Sequence, residues 1–166
     1  MTTELSPEEI RLQTVRTSNL WKQYTKLYSG FNSHLDRSLR DGAQIKLDDY
    51  QILTVLTDGD PDLDDFPLIR MGELSKALNA SPSRLTYQVN RLEQLGWVER
   101  VEIPHDRRGK GARITDLGYE IFCKAFTLHI DSLNKTLLSG IPDGDYEVVD
   151  RVIKHILEAM EEQLHG

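Results

Sequence analysis

The sequence has one cysteine, no long apolar run and none of the short motifs that mark common catalytic sites. Cys123 cannot form a disulfide within the chain, and no stretch approaches the roughly 18 apolar residues of a membrane span. The first ten residues hold neither a basic segment nor an apolar run, so we expect no signal peptide. These absences predict a reducing, cytoplasmic setting.

Catalytic and metal-binding patterns are also missing. The sequence contains no nucleophile elbow, P-loop or G-x-G-x-x-G, so it predicts neither an enzyme nor a bound cofactor. The five histidines are scattered and stand outside any H-E-x-x-H or Cys-x-x-Cys setting, which predicts no metal site: they are His34, His105, His129, His155 and His165. The acidic stretch "DGDPDLDDFP" lacks the EF-hand spacing and is interpreted as a solvated loop.

Charge is distributed unevenly along the chain, whose formal net charge is −7. Residues 70–113 hold nine lysines and arginines against five acids, a net charge of +4, and the remainder carries −11. A basic segment inside an acidic protein suits a localised contact with a polyanion.

Long apolar stripes at helical spacing occupy both ends of the chain. The first predicts one helix from Ser6 to Leu39, ended by Asp41-Gly42; the alternative is two helices broken near Gly30. A second helix is predicted over 47–57, and two more over 116–139 and 145–163. The terminal stripes exceed what one small core can bury, which favours a dimer interface.

The segment "MGELSKALNASPSRLTYQVNRLEQLG" predicts two short helices joined by a tight turn. The first covers 72–78, and the second begins with Ser81 as N-cap and Pro82 as its first residue. Leu85, Val89 and Leu92 form the predicted buried stripe of the second helix. This pattern is typical of a helix-turn-helix.

The exposed face of that second helix has no acid before Glu93 and many hydrogen-bond donors. Such side chains bind DNA bases and phosphates, although the same geometry also serves in protein packing. The predicted DNA-binding residues of this face are Ser83, Arg84, Thr86, Tyr87, Gln88, Asn90 and Arg91.

A β-hairpin is predicted after the second helix. "WVERVEIP" has strand character, "ARIT" is the predicted returning strand, and "HDRRGKG" is the predicted tip between them. A helix-turn-helix followed by a hairpin is a winged helix. Its basic residues Arg107, Arg108 and Lys110 suit contacts with phosphates and the minor groove.

These residues resemble the MarR family of bacterial winged-helix regulators over nearly the whole chain. The family's wing pattern D-x-R, five residues, then Leu-Thr matches "DRRGKGARIT", with Ile114 in place of leucine. "ITDLG" resembles the start of the family's next helix. The resemblance implies a mainly α fold with a small β-hairpin wing, in which Asp106 forms an ion pair that positions Arg108.

The resemblance also implies a function and a domain layout. It implies one domain over 1–166, with a DNA-binding winged helix over 45–115 and dimerisation helices over 6–40 and 116–164. Family members are typically cytoplasmic homodimers that bind pseudo-palindromic double-stranded operators and repress transcription. Many release DNA when a small aromatic or lipophilic effector enters a cleft near the dimer interface.

Candidate effector residues lie on the first helix, although aromatics at helical spacing also suit core or dimer contacts. They are Trp21, Tyr24, Tyr28, Phe31 and His34. Alternatives that stay open are a winged helix that binds a protein partner, an activator, and a redox- or metal-responsive regulator. Cys123 lies in the apolar run "YEIFCKAF", which favours an inert cysteine over a redox sensor. Residues 151–165 hold two histidines and three glutamates that a metal-responsive regulator could use.

Overall fold

The first helix, α1 (Pro7–Ala43), is continuous, which confirms the prediction of one long helix. Ser6 and Glu9 form a capping box, in which the Ser6 backbone N–H donates to the Glu9 carboxylate over 2.8 Å. The predicted stop at Asp41-Gly42 is wrong. Gly42 is helical and lies against Leu128, so an added Cβ would come within 2.4 Å of a Leu128 methyl carbon. The helix ends instead at Gln44, whose φ of 57° is left-handed.

The computed structural model describes residues 6–62, 65–103 and 106–165. For residues 106–109 and 164–165 it describes the backbone alone. The remaining described helices are α2 (Leu47–Leu56), α3 (Met71–Ala77), α4 (Pro82–Gln94), α5 (Asp116–Thr136) and α6 (Tyr146–His165). A short 3₁₀ helix, Leu138–Gly140, follows α5, which therefore ends earlier than the predicted residue 139.

The described strands form one antiparallel sheet in the order β1-β3-β2, from β1 (Ile69–Arg70), β2 (Val98–Ile103) and β3 (Asp106–Ile114). In β2 and β3, Val98 pairs with Ile114 at one end and Ile103 pairs with Asp106 at the other. Gly111 admits β1, since a Cβ there would lie 3.1 Å from the Ile69 carbonyl oxygen. The mainly α fold with a small β wing is thereby confirmed.

The junction between β3 and α5 is built around Thr115. Its hydroxyl donates to the Gly96 carbonyl over 2.6 Å and accepts the Gly118 N–H over 3.1 Å. Gly118 faces the Trp97 carbonyl oxygen, which would lie 2.0 Å from a Cβ at position 118. The Thr115 hydroxyl thus links the wing to α5, and the Trp97 carbonyl leaves no room for a side chain at residue 118.

The chain divides into two compact units, residues 1–129 and residues 130–166. The core of the first unit joins the helix-turn-helix to the C-terminal end of α1, α2 and the start of α5, and includes Leu39, Leu53, Leu85, Val89 and Phe122. In the second unit, α6 is amphipathic, with its apolar residues exposed. No helix in the described part of the chain has the length and apolar character that crossing a membrane requires.

Candidate nucleic-acid interface

Helices α3 and α4 are joined by a turn that side chains close. The Ser75 hydroxyl donates to the Ala80 carbonyl over 2.6 Å, and Asn79 adopts a left-handed φ of 46°. Ser81 then caps α4 by accepting the Arg84 N–H, and Pro82 is the first helical residue. These contacts confirm the predicted helix-turn-helix and set the direction in which α4 leaves the turn.

The burial pattern of α4 determines which of its side chains face outward. Leu85, Val89 and Leu92 are buried, as predicted. With 100° between successive residues, the opposite face carries Ser83, Tyr87 and Asn90, and all three are exposed. The Tyr87 residue is 71% exposed. We call Ser83, Tyr87 and Asn90 the outer face of α4.

The two arginines of α4 lie on one flank of the helix, and both form ion pairs with α2. An Arg84 guanidinium nitrogen is 2.7 Å from the Asp48 carboxylate, and Arg91 pairs with Asp49. The first pair is exposed, whereas Asp49 is buried. Gln88, between the two arginines in the helix, is half-buried. The first turn of α2 therefore restrains both arginines predicted to contact DNA.

Burial is the main influence on Asp49. It raises the pKa of this carboxyl, although the hydrogen bond and charge of Arg91 oppose the shift. A buried carboxylate needs such a partner because its desolvation is costly. Asp48 and Asp49 lie in the first turn of α2, and nothing in their spacing in the sequence identifies α4 as their partner.

The other flank of α4 contacts the sheet through Arg100 of β2. A guanidinium nitrogen of Arg100 donates to the Thr86 carbonyl over 3.2 Å, and its Nε lies 3.6 Å from Glu93. The Arg100 side chain is only 21% exposed. This residue, which sequence reasoning missed, connects the outward-facing helix to the wing.

The wing differs from the predicted hairpin in the extent of its strands. Residues 106–111, predicted as the tip, belong to β3, because the pairing with β2 continues as far as Asp106. Lys110 is exposed. The side chains of Asp106, Arg107 and Arg108 lie outside the described residues, so the proposed ion pair between Asp106 and Arg108 stays a prediction.

The predicted effector residues fall in different surroundings. Trp21, Tyr24 and Tyr28 are exposed and contact one another along α1, with ring centroids 5.6 and 6.2 Å apart. His34 is also exposed. Phe31 lines a cavity with a volume of about 360 Å³, whereas Trp21 lines a separate surface groove formed by residues of α1 alone.

That cavity is also lined by Tyr50 and His129, which sequence reasoning did not assign to a site. Their ring centroids are 5.2 Å apart. Burial lowers the pKa of His129, and its Nδ1 is buried with no hydrogen-bond partner in the described residues. The apolar patterns around Tyr50 and His129 predicted that each residue lies in a helix. They did not predict that the two side chains line the same cavity.

Cys123 is half-buried beside the 58–62 turn. Its Sγ lies 3.8 Å from the Pro61 carbonyl oxygen, which also accepts the Tyr119 hydroxyl over 2.6 Å. Among the described residues, no group of three or more histidine, cysteine and acidic side chains is placed to hold a metal ion. His105 lies outside the described residues.

Taken together, the closed turn, the outward-facing α4 and the paired β2 and β3 define a winged helix-turn-helix protein. The MarR family model matches residues 43–109, which contain α3, α4, β2 and the first residues of β3. The PecS transcriptional regulator of Dickeya dadantii is 29% identical over 93 residues, which are 54% of this chain and 55% of that protein. The multiple antibiotic resistance protein MarR of Escherichia coli is 29% identical over 51% of this chain and 59% of its own length.

Similarity to solved structures extends over nearly the whole chain. Sco3205, a MarR family regulator of Streptomyces coelicolor solved in complex with DNA, has a TM-score of 0.74 and 27% identity, covering 95% of this chain and 94% of its own. AbsC of the same organism has a TM-score of 0.75 and 25% identity, covering 97% and 99%. The chain spans little more than half the length of the curated relatives named above. The chain is thus similar to the MarR family of transcriptional regulators, in sequence over residues 43–109 and in fold over nearly its whole length.

Proposed function

We propose that the protein is a homodimeric, DNA-binding transcriptional repressor that a small ligand releases from its operator. The observation that carries this proposal is the outer face of α4, an exposed and acid-free set of hydrogen-bonding side chains beside the basic strand β3. The relative Sco3205 was solved with DNA, and MprA of Escherichia coli, 27% identical over 94 residues, is a transcriptional repressor. Both support the proposal.

Base recognition is assigned to the outer face of α4. Asn90 suits bidentate pairing with adenine, and the Tyr87 ring suits apolar contact with the thymine methyl group. Ser83 and Thr86 suit phosphates or either kind of base edge. Gln88 is a weaker candidate because it is half-buried on the flank that faces α2.

Arg84 and Arg91 take different parts in this proposal. Arg84 is exposed and can leave Asp48 at little cost, since exposed ion pairs contribute about 0–1 kcal/mol. Arg91 cannot leave Asp49 without creating an unpaired buried carboxylate. We therefore assign Arg91 to holding α4 against α2, and retain Arg84 as a phosphate or base contact.

Two copies of the chain are proposed to associate through their terminal helices. Many apolar residues of α6, and of α1 before Phe31, are about half exposed or more, including Leu20 and Tyr24 on α1 and Ile153 and Leu157 on α6. Exposed apolar stripes of this length are typical of a surface that another chain covers. The dimer would bind half-sites about one helical turn, roughly 34 Å, apart.

The cavity lined by Phe31, Tyr50 and His129 is the proposed effector site. Its volume of about 360 Å³ falls in the size range of small-molecule pockets, and most of its lining is apolar. The unpaired His129 Nδ1 offers one polar contact for orientation. A small aromatic compound with one polar group fits this lining.

The experiment that tests the function is selection of bound duplexes from a random pool at two salt concentrations. We expect enrichment of a two-fold symmetric sequence at both. Asn90→Ala should then relax the preference at defined bases by about 1–3 kcal/mol. Asn134→Ala, the same change at an exposed position on α5, is the matched control. A pool that shows no enrichment at either salt concentration would contradict the proposal.

Effector release is tested separately. Phenolic compounds are added to a complex of the protein with the fluorescently labelled selected duplex. Release by a compound should be lost in Phe31→Trp, which fills the cavity, and retained in Trp21→Phe, on the exposed face of α1. Equal release from both variants would argue against this cavity.

A further inference from the structure

A second groove lies beside α4, on the flank that carries Thr86 and away from Arg84 and Arg91. It has a volume of about 530 Å³ and is formed by α3, α4 and the sheet. Four cationic side chains line it, and Glu73 is the acid among its lining residues: the cations are Arg70, Lys76, Arg100 and Lys110. We call this the α3 groove.

The acid in the lining, Glu73, already accepts a hydrogen bond within the protein. The Glu73 carboxylate accepts the backbone N–H of Arg70 over 3.1 Å, so it serves the start of α3. Lys76 and Lys110 are exposed, and neither has an acidic partner among the described residues. The groove therefore keeps a net positive charge.

Arg100 forms the back of the groove. It is held by the Thr86 carbonyl and by Glu93, whose carboxylate lies 3.6 Å from its Nε; this Nε is buried without a hydrogen-bond acceptor in the part of the chain that is described. A cation held in place in this way does not lose side-chain freedom when an anion arrives. The groove thus combines two long, exposed lysines with one preorganised guanidinium.

Like charges gathered around one groove repel each other, and an anion placed among them relieves that repulsion. The neighbouring α4 also restricts which anion fits. If its outer face enters a major groove, its flanks face the sugar-phosphate backbones that border that groove. The α3 groove lies on one such flank.

We infer that the α3 groove binds backbone phosphates of one DNA strand, with Lys76 and Lys110 as direct contacts and Arg100 as a fixed charge behind them. This inference rests on the proposed DNA-binding function and assigns it residues outside α4. Phosphate contacts carry no base information, so the groove contributes affinity and register but no sequence preference. Its loss should weaken binding to every duplex alike.

The test uses Lys76→Gln, Lys110→Gln and the double variant in the full chain. Affinity for a labelled duplex of the selected sequence, and for a scrambled duplex of the same length, is measured by fluorescence anisotropy over a range of salt concentrations. The slope of log K against log salt should decrease in magnitude by about 0.9 for each phosphate that the variant no longer binds. At a fixed salt concentration both duplexes should lose affinity by the same factor.

Lys124→Gln is the matched control, because it removes the same charge from an exposed position on α5. It should leave the slope unchanged. If the groove variants also keep the wild-type slope, the inference is overturned and the DNA-binding function stands. If the wild-type protein binds neither duplex, the function fails and the inference fails with it.

A free anion is the other source of phosphate for this groove. Calorimetric titration with inorganic phosphate at low salt distinguishes a free anion from a DNA backbone phosphate as the ligand of the groove. Saturable phosphate binding that Lys76→Gln abolishes, combined with unchanged DNA affinity and slope, would assign the groove to a small anion and overturn the inference. A DNA slope that decreases in the groove variants supports the inference whether or not free phosphate binds.

Discussion

The guanidinium of Arg91 on α4 pairs with the buried carboxylate of Asp49 on α2. This contact joins residues 42 positions apart in the sequence and fixes the helix proposed to enter the major groove. Together with the exposed pair between Arg84 and Asp48, it attaches the arginine flank of α4 to the first turn of α2. What remains exposed on the outer face is uncharged.

Removal of Arg91 should destabilise the fold. Arg91→Gln leaves the buried Asp49 carboxylate without its charged partner, so we expect a loss of about 3–5 kcal/mol of unfolding free energy. The double variant Asp49→Asn/Arg91→Gln should recover most of this loss. The free energy of unfolding of the wild type, the single variant and the double variant is measured by urea denaturation. If the double variant is as unstable as Arg91→Gln, the interpretation is contradicted.

The same pair should respond to pH with a defined sign. The pKa of Asp49 is raised in the folded state, so the folded protein binds more protons than the unfolded chain above the unfolded pKa of about 3.9. Stability contributed by this group therefore falls as pH rises through that window. Asp49→Asn should remove this dependence, as measured by urea denaturation between pH 4 and pH 7.

Asp48→Asn should strengthen DNA binding. The substitution releases Arg84 from its exposed ion pair, and the freed guanidinium can bind a phosphate. We expect the salt dependence of binding to become steeper by about 0.9 for each additional phosphate bound. Asp131→Asn, which breaks an exposed pair with Lys135 on α5, is the control. Equal affinities for wild type and Asp48→Asn would show that Arg84 contributes nothing in the complex.

His129 should make the fold sensitive to acid. Its pKa is lowered by burial, so the folded state favours the neutral ring and the unfolded chain binds the proton first. The associated stability is present above the unfolded pKa of about 6.5 and is lost as pH falls through the lowered value, with a slope of at most about 1.4 kcal/mol per pH unit. His129→Gln should flatten the stability profile below pH 6.5, whereas the exposed His34→Gln should not.

Two glycines should respond to alanine in opposite directions. A Cβ at residue 118 would lie 2.0 Å from the Trp97 carbonyl oxygen, so Gly118→Ala should destabilise the protein by about 1–3 kcal/mol or more. Gly30 lies inside α1 with no atom within 4 Å of the added Cβ. Gly30→Ala should therefore stabilise the protein by about 0.5–1 kcal/mol. The melting temperatures of both variants, measured by thermal denaturation, check these two expectations.

The apolar face of α6 can be tested through the oligomeric state. Ile153→Lys places a charge among apolar residues that are about half exposed in the single chain. If a second copy covers this face, the variant should elute as a monomer in analytical size exclusion with light scattering. His155→Lys introduces lysine on the opposite side of the same helix and should leave the dimer intact. A wild-type protein that is monomeric at all concentrations would rule out the dimer.

Several elements could be predicted from the sequence because their signals are local. Ser6 and Pro7 mark the start of α1, and Ser81 and Pro82 mark the start of α4, through caps that involve only neighbouring residues. The buried stripe of α4 follows from helical periodicity alone. The wing motif "DRRGKGARIT" likewise indicated the resemblance to the MarR family, because the motif consists of consecutive residues.

Other features depended on contacts between distant residues. Gly42 resembles a helix stop in the sequence, but in the fold it makes room for Leu128 of α5. The glycines of "HDRRGKG" resemble a loop, but β2 extends far enough to pair with Asp106. Local composition cannot show either contact.

By itself, therefore, the sequence determined the helices, their caps, the resemblance to the MarR family and the face of α4 that points away from the core. Only the tertiary structure decided which arginines remain available, because ion pairs such as Arg91 with Asp49 form between side chains that are far apart in the chain. It also brought Phe31, Tyr50 and His129 to one cavity, and Lys76 and Lys110 to one groove. Backbone propensity and capping act between residues that are close in the sequence. Ion pairs and burial act between residues that are close in space, and these can be far apart in the sequence.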